Sequence, residues 1–177
     1  EIVYPEQTDG NGYYKPQPFV VKNPTSDTGD FSNGDDAYAN GGDDADALNP
    51  PDDHRFYDYG LSIPAGSTIT GIEVRLDVQV DDYNPIGDFM LVDLSWDGGS
   101  TWTSPKQTGE IGTSQTSFYL GNSSDLWGHS WSVDELSNAN FRLNITAISD
   151  QGTQDFRLDW VPVKVYYTLG ETGPGWV

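Results

Sequence analysis

Ile69-Thr-Gly-Ile-Glu-Val-Arg-Leu-Asp-Val-Gln-Val-Asp81 alternates apolar and polar residues from Ile72 onward. Ile72, Val74, Leu76, Val78 and Val80 fall on one side of an extended chain, and Glu73, Arg75, Asp77, Gln79 and Asp81 on the other. Side chains of a β-strand point to opposite faces with a period of two, so this stretch predicts a long antiparallel strand, one face in a core and one in water. Other segments repeat the pattern. Phe89 to Trp96 sets Met90, Val92, Leu94 and Trp96 together, and Phe141 to Ala147 turns Arg142, Asn144 and Thr146 outward. Phe156 to Thr168 reads as the last strand, with an irregularity near Pro162, which has no N–H to give a ladder. Shorter strands are predicted over residues 19–22, 57–61 and 117–120.

Helix signals are sparse. Ser132-Val-Asp-Glu135 has capping-box spacing and predicts one or two turns ending near Asn138. Many short strands with Gly and Pro punctuation predict an all-β, antiparallel β-sandwich, jelly-roll-like, with long acidic loops and at most one short helix. A chain of 177 residues with 23 aromatics can fill such a core. The expected organisation is an extended, Pro-punctuated arm over residues 1–22, one sandwich domain over 23–169 and a tail over 170–177. The first residue, Glu1, reads as a processed end or an expression boundary.

Charge is the second organising feature. The chain carries 28 acidic and 8 basic residues, a net charge of -20, and 22 of the acids are Asp. This excludes phosphate recognition, hence nucleic acid as a partner. Residues 27–58 hold ten aspartates, no glutamate and one formal positive charge, Arg55. Asp interleaved with Gly and Asn is oxygen-rich Ca²⁺-loop chemistry, although tight turns and a solvated acidic surface use the same residues. The candidate ligands are Asp27, Asp30, Asp35 and Asp36, then Asp43, Asp44 and Asp46, then Asp52 and Asp53. A further cluster, Asp81, Asp82 and Asp88, joins two central strands. No Glu stands at the twelfth position of an EF-type loop, and Zn²⁺ is disfavoured by the absence of Cys and the presence of only His54 and His129. The expected cofactor is therefore Ca²⁺, with room for more than one ion.

Without Cys there is no disulfide framework, and no run approaches the roughly 18 apolar residues of a membrane span. Two sequons, at Asn122 and Asn144, fit a glycosylated extracellular or cell-surface protein.

Ser95-Trp-Asp-Gly-Gly-Ser-Thr-Trp102 matches the Asp-box pattern of sialidases and other β proteins at Ser95, Asp97, Gly99, Thr101 and Trp102. The resemblance implies a structural hairpin, since one copy cannot build a propeller. Ile63 to Arg75 resembles a segment of β-sandwich modules in microbial and phage surface proteins, with Ser124-Asp-Leu-Trp-Gly128 and Val165-Tyr-Tyr-Thr168 as further likenesses. Phe156-Arg-Leu-Asp159-Trp-Val161 resembles the final strand of calcium-containing carbohydrate-binding jelly rolls. That resemblance implies Asp159 as a Ca²⁺ ligand sharing a site with the early chain, here Asp27 or Asp30. The family's early ligand is usually a Glu, and none lies between Glu6 and Glu73. Pairing of Asp159 with Arg157 or Arg142 is the other reading of that residue.

No catalytic motif is present, so the chain is expected to be non-enzymatic. Two functions remain. The first is a calcium-stabilised subunit of a surface filament, sheath or layer, a self-assembling homopolymer joined through Tyr4, Tyr13, Tyr14, Phe19 and Trp176 in its terminal arms. The alternative is a carbohydrate-binding module or adhesin for a polysaccharide, stacking sugar rings on Trp127, Trp131 and Tyr119.

Overall fold

The computed structural model describes residues 18–82, 87–150 and 154–170, together with two short strands in the preceding segment. In chain order the strands are β1 (Gln7–Thr8), β2 (Tyr14–Lys15), β3 (Phe19–Lys22), β4 (Ser26–Gly29), β5 (Ala45–Ala47), β6 (Asp52–Tyr57), β7 (Thr68–Val80), β8 (Asp88–Ser95), β9 (Lys106–Gln107), β10 (Thr116–Gly121), β11 (Arg142–Ser149), β12 (Phe156–Trp160) and β13 (Val163–Thr168). Short 3-10 turns occupy Gly34–Tyr38 and Asp134–Leu136. The second carries the predicted capping box: the Ser132 N–H donates to Glu135 Oε2 at 2.9 Å and the Glu135 N–H to Ser132 Oγ at 3.3 Å.

The architecture is an antiparallel, jelly-roll-like β-sandwich. β7 is the spine of the first sheet. Its one edge pairs β13 and then β12 in succession, and its other edge pairs β10, while β3 and β5 extend the sheet beyond β13 and β12. The second sheet runs β4-β6-β11-β8-β9. The alternating residues of β7 face inward as read: Ile72, Val74, Leu76, Val78 and Val80 are buried against Met90, Val92 and Leu94 of β8 and Leu143 and Ile145 of β11. Burial of each such side chain contributes roughly 1.5–3 kcal/mol, which is what fixes the register, since a slip by one residue would turn the whole row into water.

The structure corrects the sequence reading at four places. The predicted strand over 57–61 is instead β6, Asp52–Tyr57, inside the acidic stretch, with Asp52, His54 and Phe56 inward. Trp96 lies just past the end of β8, only half-buried, and stacks on His129 at 3.8 Å between centroids. The predicted last strand is two strands, β12 and β13, broken at Val161-Pro162 as the proline requires. β3 lies within the expected arm but pairs with β13 as a sheet edge, so the sandwich takes in residues 19–22.

β12 also contains a bulge. Its register with β7 shifts between Leu158 and Trp160, so that Leu158 faces Val78 in the core and Trp160 lies opposite Asp77. One extra residue in a strand turns everything after it to the other face. That device places Trp160 outside the sandwich.

Candidate functional site

The acidic stretch is tied down from within. His54, 2% exposed, accepts the Phe31 N–H at Nδ1 (3.1 Å), so its Nε2 carries the proton and donates to Asp27 Oδ2 at 2.8 Å. Tyr38 Oη donates to the other oxygen of the same carboxylate. Burial, followed by this bond to Asp27, pushes the Tyr38 hydroxyl well above its usual range. The remaining candidate ligands scatter. Asp30 accepts the Asp53 N–H (3.1 Å), Asp52 accepts the Asn49 N–H (3.0 Å), and Asp53 accepts the Thr146 hydroxyl (2.5 Å). Asp35 lies exposed at the start of the first 3-10 turn.

Asp36, Asp43, Asp44 and Asp46 line one open acidic cleft with Arg157. Burial, with neighbouring carboxylates, raises the carboxyls of Asp44 and Asp46, while the Arg157 guanidinium opposes the rise in both. Asp159 does not meet Asp27 or Asp30 and pairs with neither arginine of the sequence reading. It is 2% exposed and accepts the Gly41 N–H at 3.0 and 3.1 Å and Gln115 Nε2 at 3.1 Å. Asp81 accepts the Asp155 N–H (2.9 Å), and Asp82 is exposed. Asp88 is fully buried, and its carboxyl is raised by burial, then lowered in part by a hydrogen bond with Ser149, with Asp150 and Asp81 adding to the rise. Among the described residues no three Asp, Glu or His side chains are arranged to share one metal ion. The donor set as placed thus does not form a Ca²⁺ cage of several convergent carboxylates.

In the hairpin after β8, Asp97 Oδ1 accepts the N–H groups of Ser100 (3.0 Å) and Thr101 (2.7 Å) and the Ser95 hydroxyl (2.9 Å). These bonds, those from Thr101 foremost, hold the Asp97 carboxyl below the usual carboxylate range. Gly98 and Gly99 take positive φ, and Trp102 Nε1 donates to the Gly99 carbonyl at 3.0 Å. Of the sequon residues, Asn122 Oδ1 accepts from Ser124, and Asn144 Nδ2 donates to Asp93 Oδ1 at 3.1 Å. Among the assembly residues, Tyr4, Tyr13 and Trp176 and the side chain of Tyr14 lie outside the described residues.

Two of the three proposed sugar-stacking rings are interior. Trp127 and Trp131 are 4% and 7% exposed, and their Nε1 atoms donate to the carbonyls of Ile72 and Leu126. Tyr119 is different, at 56% exposed. It stands on β10 directly opposite Arg75 of β7, on the outer face of the first sheet. Trp160 lies on the same face, turned there by the bulge, with its Nε1 donating to Asn23 Oδ1 at 2.9 Å. The Arg75 guanidinium sits 4.7 Å from the Trp160 ring centroid and 5.6 Å from that of Tyr119. It also donates to both oxygens of Asp77, at 2.9 and 3.0 Å, and to Ser117 Oγ at 3.2 Å. Lys164 lies opposite Glu73 in the adjoining pair, and its ammonium opposes the burial that raises the Glu73 carboxyl. Together with Val21 and Pro162 these residues line a shallow depression of about 190 Å³. Aromatic rings beside fixed donors and acceptors on a rigid sheet can hold a flat, hydroxyl-rich ligand: the rings take its C–H face and the polar groups its hydroxyls.

Sequence reasoning missed Trp160, Arg75 and Glu73 as site residues. The outward row Glu73, Arg75, Asp77 was legible in the alternation of β7, but the bulge that reverses the parity of Trp160 has no local signature.

A scan against protein-family models and a search of curated proteins both return no match for this chain. Solved structures do show similarity. The CBM22-1-GH10 modules of endo-1,4-beta-D-xylanase 10B from Clostridium thermocellum, complexed with xylohexaose, are 12% identical at a TM-score of 0.42, covering 82% of this chain and 25% of that one. TmCBM61 in complex with beta-1,4-galactotriose is 8% identical at 0.40, covering 82% and 87%. A family 29 carbohydrate-binding module from Piromyces equi is 10% identical at 0.39, covering 83% and 89%. The chain spans about a quarter of the length of the xylanase structure. At these values the likenesses decide nothing about a ligand, and the case for one rests on the chain's own side chains.

Proposed function

We propose that the protein is a non-catalytic carbohydrate-binding module that holds a polysaccharide across the outer face of its first sheet. The observation that carries this reading is the pairing of exposed Tyr119 and outward-turned Trp160 on either side of Arg75. The two cations that line this depression are each matched by a carboxylate, Arg75 by Asp77 and Lys164 by Glu73. The face therefore suits a neutral glycan better than an anionic one, which the net charge of -20 would also repel. An extracellular or cell-surface location follows from such a ligand.

The filament reading finds less support. Of its assembly residues only Phe19 has a described side chain, and this ring lies over Lys164 at 4.2 Å on the edge of the same face.

The test is affinity electrophoresis through gels containing a xylan, a β-glucan, a galactan or alginate. Retardation is expected on at least one neutral polymer and none on alginate. Tyr119→Ala and Trp160→Ala should each weaken retention by about 2 kcal/mol, roughly 30-fold in Kd, as expected of central aromatic contacts. Equal mobility in all gels, or unaltered retention by both variants, would refute the proposal.

A further inference from the structure

The outer face of the second sheet, on the opposite side of the sandwich, holds a trough of about 340 Å³ whose lining includes Asp30, Asp53, Asp93, Arg55, Trp102 and Asn144. Its parts are fixed in place. Trp102 is pinned through the hairpin to Gly99, and the Arg55 guanidinium lies 4.9 Å over its ring. Asn144 of β11 stands in register with Arg55 on one side and Asp93 on the other, so three adjacent strands present these groups side by side. Asp93 is held by Asn144 Nδ2 at 3.1 Å, and Asp53 by Thr146 Oγ1 at 2.5 Å and Asn144 Nδ2 at 3.4 Å. These bonds use Oδ1 in each case.

We propose that this trough is a second, separate binding site for a neutral saccharide. The charges narrow the ligand. An anion would meet three carboxylates around one guanidinium. A metal ion would meet that guanidinium, and no three carboxylates here are arranged to share it. A polyol needs what the trough supplies: Asp53 and Asp93 accept from its hydroxyls, Arg55 donates to its oxygens, and Trp102 receives the C–H face of a ring. Groups held in place before binding lose little entropy on complex formation, so a wet polar trough of this kind binds usefully. With a site on each outer face, one molecule would bridge two glycan chains. Asn144 Nδ2 is also the atom to which an N-glycan would be joined, so glycosylation at Asn144 and ligand in the trough exclude one another.

The proposal rests on the trough's own residues and not on the platform of Tyr119 and Trp160. The experiment is a ¹H–¹⁵N NMR titration of the whole chain with cellohexaose, xylohexaose and mannohexaose, and with an oligouronate, to about 10 mM, which detects even millimolar Kd. At least one neutral hexasaccharide should shift the Trp102 indole N–H and the Arg55 Nε–H, and the shifts should persist in a Tyr119→Ala/Trp160→Ala double variant. Arg55→Ala, at an exposed position, and the size-conserving Asp53→Asn should each weaken that response about tenfold, as loss of a hydrogen bond to a charged group does. The proposal is overturned if no neutral hexasaccharide moves Trp102, if only the oligouronate does, or if both variants bind as tightly as the parent. Absence of any platform response in the unmutated chain, with the Trp102 response present, would sink the platform reading alone.

Discussion

Gly34→Ala tests whether the acidic stretch is held by the Asp27 network. An alanine Cβ at this position would lie 2.1 Å from Asp27 Oδ2, 2.5 Å from His54 Nε2 and 2.7 Å from Asp27 Cγ. The carboxylate cannot simply step aside, because Tyr38 and the nearly buried His54 both hold it. The methyl must break at least one of these bonds or push β4 away from β6. A hydrogen bond to a charged acceptor contributes about 1.5–3 kcal/mol, and overpacking alone costs about 1–3 kcal/mol. The expected loss is about 3 kcal/mol, which for a domain of this size lowers Tm by roughly 6–12 °C. Thermal unfolding followed by circular dichroism reads this directly. In an Asp27→Ala background the obstructing carboxylate is gone and only the His54 contact remains, so Gly34→Ala should then cost less than in the parent by about 1 kcal/mol or more, the difference being coupling between the two sites. A fall in Tm of under about 2 °C in the parent, or the same fall in both backgrounds, would refute the reasoning.

Stability should rise on mild acidification. Asp44, Asp46, Asp88, Asp93 and Glu73 are all raised, burial being the largest cause in each. A carboxyl raised in the folded state detracts from stability when ionised, and this deficit disappears as pH falls through its folded value. Asp97, lowered by its Thr101 bonds, and Asp125, lowered by Lys106 against an opposing burial, contribute stability that is lost only below the ordinary value of 3.8. Calorimetry should find Tm higher at about pH 5 than at about pH 7.5 and falling below about pH 3.5; a steady decline from pH 7.5 downward would contradict this. Asp44→Asn should stabilise by about 0.5 kcal/mol in chelator, because it relieves repulsion from Asp159, Asp46 and Asp43. If the same variant instead loses Tm relative to the parent in millimolar CaCl₂, then Ca²⁺ does use this cleft as the composition of residues 27–58 leads one to expect.

The parts of the fold that were legible in the sequence are those where one face is apolar and the other is not. β7, β8 and β11 alternate cleanly and were read almost to their ends. β6 escaped because two of its three inward residues are Asp52 and His54, so its hydrophobic period is hidden although its geometry is ordinary. The partner that makes His54 acceptable inside is Asp27, far away in sequence, and a long-range bond of this kind leaves no local trace. Trp127 and Trp131 misled for the converse reason. Both lie outside any strand, yet each indole N–H reaches a backbone carbonyl, which lets the ring be buried without an orphaned donor.

Asp159 links the charge of the chain to its proposed binding face. A bulged residue has no place in the ladder, and in β12 that residue is a carboxylate buried at 2% exposure. Left unpaired there it would cost several kcal/mol. Its donors come from elsewhere: the Gly41 N–H from the acidic stretch and Gln115 Nε2 from the loop before β10. The bulge is therefore stable only when both segments are in position, and the bulge is what turns Trp160 outward beside Arg75 and Tyr119. Gly41 lies between Asp36 and the Asp43-Asp44 pair, so the same run of residues that makes the surface self-repelling also caps the carboxylate that shapes the platform. Where Asp44 faces Asp159 the loop still carries a repulsion that no described cation fully offsets.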